Sequence, residues 1–390
     1  MVLLDVKLDN FLLFNDFSMH LTYTKKPVSS SIAEEHLVGR PNFRYKKLIV
    51  LMGANATGKT ALGKVLMGAF NFIAKREYAL IADLIEDPQK DASFSLDMAF
   101  DDNYLYRVNA VFKGRKKSYS DIRSEDIYVD VKREKILKND SYEKCVKRLS
   151  EKPSEHFDNY VQALESVPFI TWKFELRLVD SSLQRVIEPF EPNIYAAMLE
   201  ETLKALDPRI EQVKKIKDKG KDNTFIIDYK NHSVLIKDGV VMEADKLSSG
   251  TADGVGIADL ITSIKLKANN FVYCDEKFSH VHSVAETAFL ALMTDILEGN
   301  QQLFFTTHNT DVLDMNLPFH SFAFLRRDEI DDNKVTCIYA SDYLKKNNQS
   351  LKNAVENDVF STSPDTDSIY NLNKVFREAA KIVVQKEFNV

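Results

Sequence analysis

The sequence predicts an α/β fold: a mixed sheet with helices on both faces, an antiparallel β lobe and an inserted helical segment. Three observations predict it. A short buried strand, "KLIVLM" (47–52), runs directly into a glycine-bearing turn and then a helix. Two further apolar strands, "FVYCD" (271–275) and "QLFFTT" (302–307), alternate with helices at about 252–267 and 283–298. Such β–α–β alternation argues for parallel strands. Finally, the β-type runs "SFSLDMAF", "YLYRVNAVF" and "DIYVDV", separated by charged turns, fill residues 93–133.

The opening "LLDVKLDNFLLF" alternates weakly and reads as a strand, and the polar, proline-bearing residues 24–46 read as a loop or small insertion. After "KLIVLM", the residues Leu62, Val65, Leu66, Ala69, Phe70 and Ile73 fall on one face of a helix. From about 141 to 206 the pattern is helical and charged, interrupted by Pro153, Pro168, Pro189 and Pro192. The strands "TFIIDY" and "SVLIKDG" follow the hydrophilic turn 214–223, and a final amphipathic helix spans about 369–386. Four units result: a first lobe over 1–135, an inserted helical segment over 136–210, a second lobe over 211–318 and an α/β extension over 319–390.

With 390 residues, 44% of them apolar, the chain has ample material for a large core. A net charge of −6 gives no global basic signature for nucleic acid or anionic membrane. Cys145, Cys274 and Cys337 are odd in number and widely spaced, which argues against a disulfide framework or a zinc site and fits a reducing cytosol. The N-terminus lacks a signal-peptide pattern and no window approaches 18 apolar residues, so a cytoplasmic protein with no membrane partner is expected.

Chemistry concentrates in four places. "GANATGKT" (Gly53, Ala54, Asn55, Ala56, Thr57, Gly58, Lys59, Thr60) matches the phosphate-loop pattern, with the required strand before it and helix after it. Its backbone N–H groups would cradle phosphates, Lys59 would neutralise β/γ charge and Thr60 would offer its hydroxyl to Mg²⁺. In "FVYCDE", Asp275 ends a buried strand where an acid can hold the Mg²⁺ shell, and Glu276 beside it can act as general base toward water. "LFFTTHNTD" places His308 at the end of a second such strand, facing the same crevice. "LSSGT" (247–251) opens a helix; alone it is an ordinary N-cap.

In chain order, Gly53–Thr60, Leu247–Thr251, Asp275–Glu276 and His308, the four motifs resemble the ABC-type ATPase head in its SMC-like form. The resemblance gives Ser248, Ser249 and Gly250 the signature role, contacting the γ-phosphate of ATP held by the opposite protomer, and makes His308 the switch histidine. "LKALDPRIEQVKKI", "DEKFSHVHS" and "FFTTHNTDVLD" narrow the likeness to the bacterial OLD and abortive-infection ATPases, and place His282 in an interface loop. The chain is most similar to the ATPase subunit of TOPRIM-coupled anti-phage defence pairs of the PARIS type. It departs from the family at Lys277 and Phe278, where an acid is usual, and Gln89 is the candidate for a lobe-joining glutamine. ATP and Mg²⁺ are the implied cofactors. The implied partners are further copies of this chain sharing ATP sites, a separately encoded TOPRIM-type nuclease effector and a phage trigger protein. DNA stays open as a partner through lysine-rich segments at 112–120 and 214–221. The alternative is an SMC-like chromosome or DNA-repair ATPase, although 141–206 is too short and interrupted for a long coiled-coil arm. A transporter subunit, which would need a membrane partner, ranks last.

Overall fold

The structure is a computed structural model that describes residues 1–24, 30–115, 122–176, 192–218, 221–237, 240–328, 334–344, 349–362, 366 and 369–377. From the N-terminus, β1 (Val2–Asp9) pairs with β2 (Phe17–His20), and a small pair, β3 (His36–Leu37) and β4 (Arg40–Arg44), follows. β5 (Leu48–Met52) leads into α1 (Lys59–Lys75) and the short α2 (Ala79–Ala82). β6 (Ala92–Ala99), β7 (Tyr104–Phe112) and β8 (Ile127–Lys135) then complete an antiparallel sheet in the order β2-β1-β6-β7-β8. Next come α3 (Tyr142–Glu151), α4 (Tyr160–Glu165), β9 (Trp172–Glu175) and α5 (Pro192–Leu206). β10 (Ile210–Asp218), β11 (Lys221–Tyr229), β12 (Ser233–Lys237) and β13 (Val240–Val241) form a second antiparallel sheet. The chain continues through α6 (Ser249–Lys265), β14 (Phe271–Asp275), α7 (Ser283–Ile296) and β15 (Gln302–Thr306). It then runs through β16 (Phe322–Arg327), β17 (Val335–Tyr339), α8 (Ala340–Tyr343) and α9 (Leu351–Glu356).

The central sheet runs β17-β16-β5-β15-β14-β9, parallel except at β17. Every residue of β5, β14 and β15 is buried, as befits strands covered on both faces, and this is why apolar residues dominate each of them. Alternate side chains go to opposite cores. Ile49 and Leu51 join α1, the first antiparallel sheet and a cluster of rings around Phe70, Trp172 and Phe271. Leu48, Val50 and Met52 pack with α6 and α7 through Ile257, Leu260, Leu290 and Met293.

Three sequence expectations change. The segment 136–210 is not purely helical: β9 adds to the central sheet beside β14, Phe271 pairing with Trp172 and Cys274 with Glu175. Four residues are too few for a period-2 signal, and only pairing with β14 brings them out. Residues 319–390 are not simply an extension, because β16 pairs directly with β5 through Phe322–Val50 and Phe324–Met52. Within 24–46, read from sequence as a loop or small insertion, the chain forms the hairpin β3–β4. The final helix is described only over 369–377.

Tyr273 shows how tightly the sheet holds the first turn of α1. Its buried hydroxyl donates to the Lys59 carbonyl oxygen at 2.6 Å. Tyr273→Phe removes that donor and should destabilise the protein by about 1–2 kcal/mol. Thermal denaturation checks this, and an unchanged melting temperature would count against it.

Candidate functional site

Parallel strands bring their C-terminal ends to one edge of a sheet, and loops beyond that edge build the site. Here the loop after β5, Asp275 and Glu276 after β14, and His308 after β15 meet there. The loop itself turns tightly, with Gly53 at φ 149° and Gly58 at φ 106°, and Gly58 directly precedes α1. Gly58 occupies a backbone region open to glycine, and Ala56 at φ 62° shares the left-handed turn. Asn55 and Ala56 are exposed, whereas Thr57 is buried and donates to the Ala54 carbonyl at 2.9 Å.

Lys59 is buried, and its Nζ donates to the carbonyls of Gly53 (3.0 Å) and Ala54 (3.3 Å). It also lies 3.6 Å from Glu276 Oε1. Burial pushes the ammonium below its ordinary value, against the pull of Glu276 and Asp275. The Thr60 hydroxyl donates to Asp275 Oδ2 at 2.7 Å, and Thr306, from β15, donates to Asp275 Oδ1 at 2.9 Å. Burial raises the Asp275 carboxyl above its usual range, and the two hydroxyl hydrogen bonds oppose that shift.

Glu276 adopts φ 48°, a left-handed conformation that costs a non-glycine residue about 1 kcal/mol or more. Its N–H is held by Thr306 Oγ1 at 2.9 Å. The bend sets its carboxylate between Lys59 and the exposed His308, whose Nε2 lies 2.9 Å from Oε1. The hydrogen bond to His308, with further help from Lys59, holds Glu276 below the ordinary glutamate range. On the far side of His308, buried Glu286 accepts from Thr307 Oγ1 (2.5 Å) and Asn309 Nδ2 (2.9 Å).

The structure therefore brings Lys59, Thr60, Asp275, Glu276 and His308 together. Ser248, Ser249 and Gly250 lie elsewhere, at the start of α6. Ser248 caps the helix, accepting from Thr251 N–H at 3.1 Å, and both serines are exposed. His282 caps α7 in the same way, accepting from Val284 N–H at 3.2 Å. Gln89 sits in a turn where its N–H donates to Asp87 Oδ1 at 3.0 Å, and no hydrogen bond described joins it to the cluster.

Sequence reasoning misses Thr306, Glu286 and Arg327. Arg327, at the end of β16, donates to the Ala56 carbonyl from Nε (3.2 Å) and Nη2 (3.0 Å), fastening the exposed tip of the loop. Only the run "TTH" before His308 hints at hydroxyls near the acid. A cavity of about 260 Å³ beside the loop is lined by Gly53, Asn55, His308 and Phe324. Another of about 280 Å³ lies between Glu276, Ser283 and His308. A larger one of about 390 Å³ opens on β7 and β8, but Lys152 there is already paired with Glu134 at 2.7 Å.

Among the described residues no helix is long and apolar enough to cross a membrane. No three His, Cys, Asp or Glu side chains among them cluster as an all-protein metal site. One carboxylate beside one hydroxyl, both hard oxygen donors, suits Mg²⁺ that takes its other ligands from phosphates and water.

No family model matches the chain, and no curated protein matches it. Solved structures do. One is the Smc head domain with an extended coiled coil, bound to the C-terminal domain of ScpA, derived from Pyrococcus furiosus. It is 10% identical with a TM-score of 0.50, over 91% of this chain and 98% of that one. The SmcHead bound to the C-winged helix domain of ScpA matches at 12% identity and a TM-score of 0.49, over 91% of this chain and 100% of that one. The SMC head domain from Thermotoga maritima matches at 12% and 0.42, over 87% and 99%. At such identity the first likeness speaks to architecture alone, and the architecture is that of an Smc head domain.

Proposed function

We propose that this chain binds and hydrolyses ATP as the ATPase subunit of a bacterial anti-phage complex. In this reading ATP is sandwiched between protomers, and its turnover controls a separately encoded TOPRIM-type nuclease. The observation that carries the ATPase part is the 2.7 Å contact between Thr60 of the phosphate loop and Asp275, with Glu276 and His308 adjoining it. The defence part is supported by the motif order and the segments around Leu247–Thr251, Asp275–Glu276 and His308 that resemble abortive-infection ATPases.

Each residue then has a task. The loop amides 53–58 and Lys59 bind the triphosphate, Lys59 exchanging its carbonyl partners for phosphate oxygens. Thr60 and Asp275 hold Mg²⁺, which when bound offsets charge on the phosphates. Glu276, kept ionised by His308 and Lys59, accepts a proton from the attacking water, while His308 fixes its orientation. Ser248 and Ser249 are exposed at the start of α6, with Gly250 half-buried beside them, and their ligand in this reading is the γ-phosphate on a neighbour.

Phosphate release by the purified protein tests the reading. It should require Mg²⁺, vanish with a chelator and rise more steeply than linearly with protein concentration, because the site needs two chains. A rate per chain that is constant on dilution into the nanomolar range would remove the shared site. For the defence part, the gene beside this one should encode a TOPRIM nuclease that copurifies with the chain; a permease there would sink it. Strong stimulation by duplex DNA with a steep salt dependence would favour the chromosome-type alternative.

A further inference from the structure

The two parts of the site that serve different nucleotides, the start of α6 and the loop after Glu276, are bolted together within one subunit. Gly250, Asp253 and Gly256 are spaced three apart and share one face of α6. Each meets the loop 277–280. A Cβ on Gly250 would lie 2.7 Å from the His280 carbonyl oxygen, so the backbones touch where only glycine fits. Asp253 Oδ2 is 2.8 Å from His280 Nδ1, and Asp253 Oδ1 is 3.5 Å from Lys277 Nζ. The Lys277 stem lies along Gly256, where a Cβ would meet its Cε at 2.5 Å.

Behind this contact lies an anchor. Lys277 Nζ also lies 3.6 Å from Glu175 Oε2, at the end of β9. Glu175 Oε1 is 2.8 Å from Lys173 Nζ, and Lys173 pairs in turn with Asp259 on α6. Lys173 is buried; desolvation works against its charge, yet Glu175 and Asp259 hold the ammonium above its ordinary value. The chain of charges alternates sign from the sheet through α6 to the residue next to Glu276. Buried or half-buried pairs of this kind are costly to break singly, which makes the contact stiff.

We infer that Lys277 is a positioning residue that couples the start of α6 to Glu276, so that a subunit's own base aligns only when its Ser248–Gly250 end grips a neighbour's nucleotide. This rests on the shared-site reading above and adds a direction of control to it. Filling one site would license hydrolysis at the next, and an assembly with gaps would fire slowly.

Mixed assemblies test the coupling. Increasing amounts of Lys59→Ala chain are added to the intact chain, and phosphate release is measured per competent phosphate loop. With the coupling present, the rate per competent loop should fall about fivefold or more as empty neighbours accumulate, the size of a typical allosteric coupling. With Lys277→Met in the competent chain, that rate should no longer depend on the mixing ratio, at an unchanged affinity for ATP and with the protein still folded at the assay temperature, although its melting temperature falls. Asp253→Asn should flatten the dependence too, which guards against a defect peculiar to one variant. A Lys277→Met mixture that falls as steeply as the parent overturns the inference, and so does a parent mixture that does not fall. Failure of the shared-site reading shows separately, as an absence of ATP-dependent association by the Glu276→Gln protein in light scattering.

Discussion

Glu276→Gln should lower the hydrolysis rate by about 100-fold or more while leaving ATP bound, the scale of loss expected for a general base. The geometry explains why the two effects separate. Glu276 touches Lys59 at 3.6 Å and His308 at 2.9 Å but is not part of the phosphate loop. A glutamine fits the same space and still hydrogen-bonds to His308, yet cannot take a proton from water. ATP should therefore accumulate between chains, and the variant should elute as a larger species with nucleotide than without. The sign of the pH effect follows from the contacts. His308 and Lys59 hold the Glu276 carboxyl below its usual range, so the base stays charged through neutral pH and is lost only as pH falls through that lowered value. Wild-type turnover by a Glu276→Gln protein would transfer the base role to another residue.

The second large effect concerns ownership of the site. Lys59→Ala should abolish nucleotide binding, because it removes the buried ammonium that the loop carbonyls of Gly53 and Ala54 hold in place. Ser248→Arg should be inactive for a different reason, since it fills the exposed start of α6 with a long side chain. Neither chain alone should hydrolyse ATP. Mixed, they form assemblies in which an intact loop from one chain meets an intact "SSG" from the other. Activity above the sum of the separate variants is the expected result, held to about a fifth or less of the parent rate per competent loop because the chain with the intact loop grips no nucleotide through its own Ser248–Gly250 end. No gain at any ratio would mean that each subunit completes its own site.

How much of this is legible from residues alone depends on how local each feature is. The loop Gly53–Thr60 is readable because its eight residues are contiguous and its chemistry is fixed by spacing. Asp275, Glu276 and His308 are readable because they lie just past largely apolar runs, the mark of strands buried on both faces. Thr306 is invisible for the same reason that it matters: it lies within such a run and works across it, toward Asp275 on the adjacent strand. β9 and β16 escape notice because four and six residues carry little periodicity, and their place is decided by pairing with β14 and β5. Arg327 and Lys277 look like ordinary surface cations until folding sets them against Ala56 and Asp253. Charge partners of that kind are properties of the sheet order and have no signature in the chain.

The strand order also governs when this protein can exist. β5 is made early, but its two neighbours in the sheet are β15 and β16, with Leu48 against Leu303 and Val50 against Phe322. During synthesis the phosphate-loop strand thus waits, apolar along its whole length, until residues 302–327 have been made. Long-range parallel pairing of this sort is slow and leaves edges open to aggregation. A chain cut before β16 leaves β5 without one of the two strands that flank it, and with an open edge beside the phosphate loop.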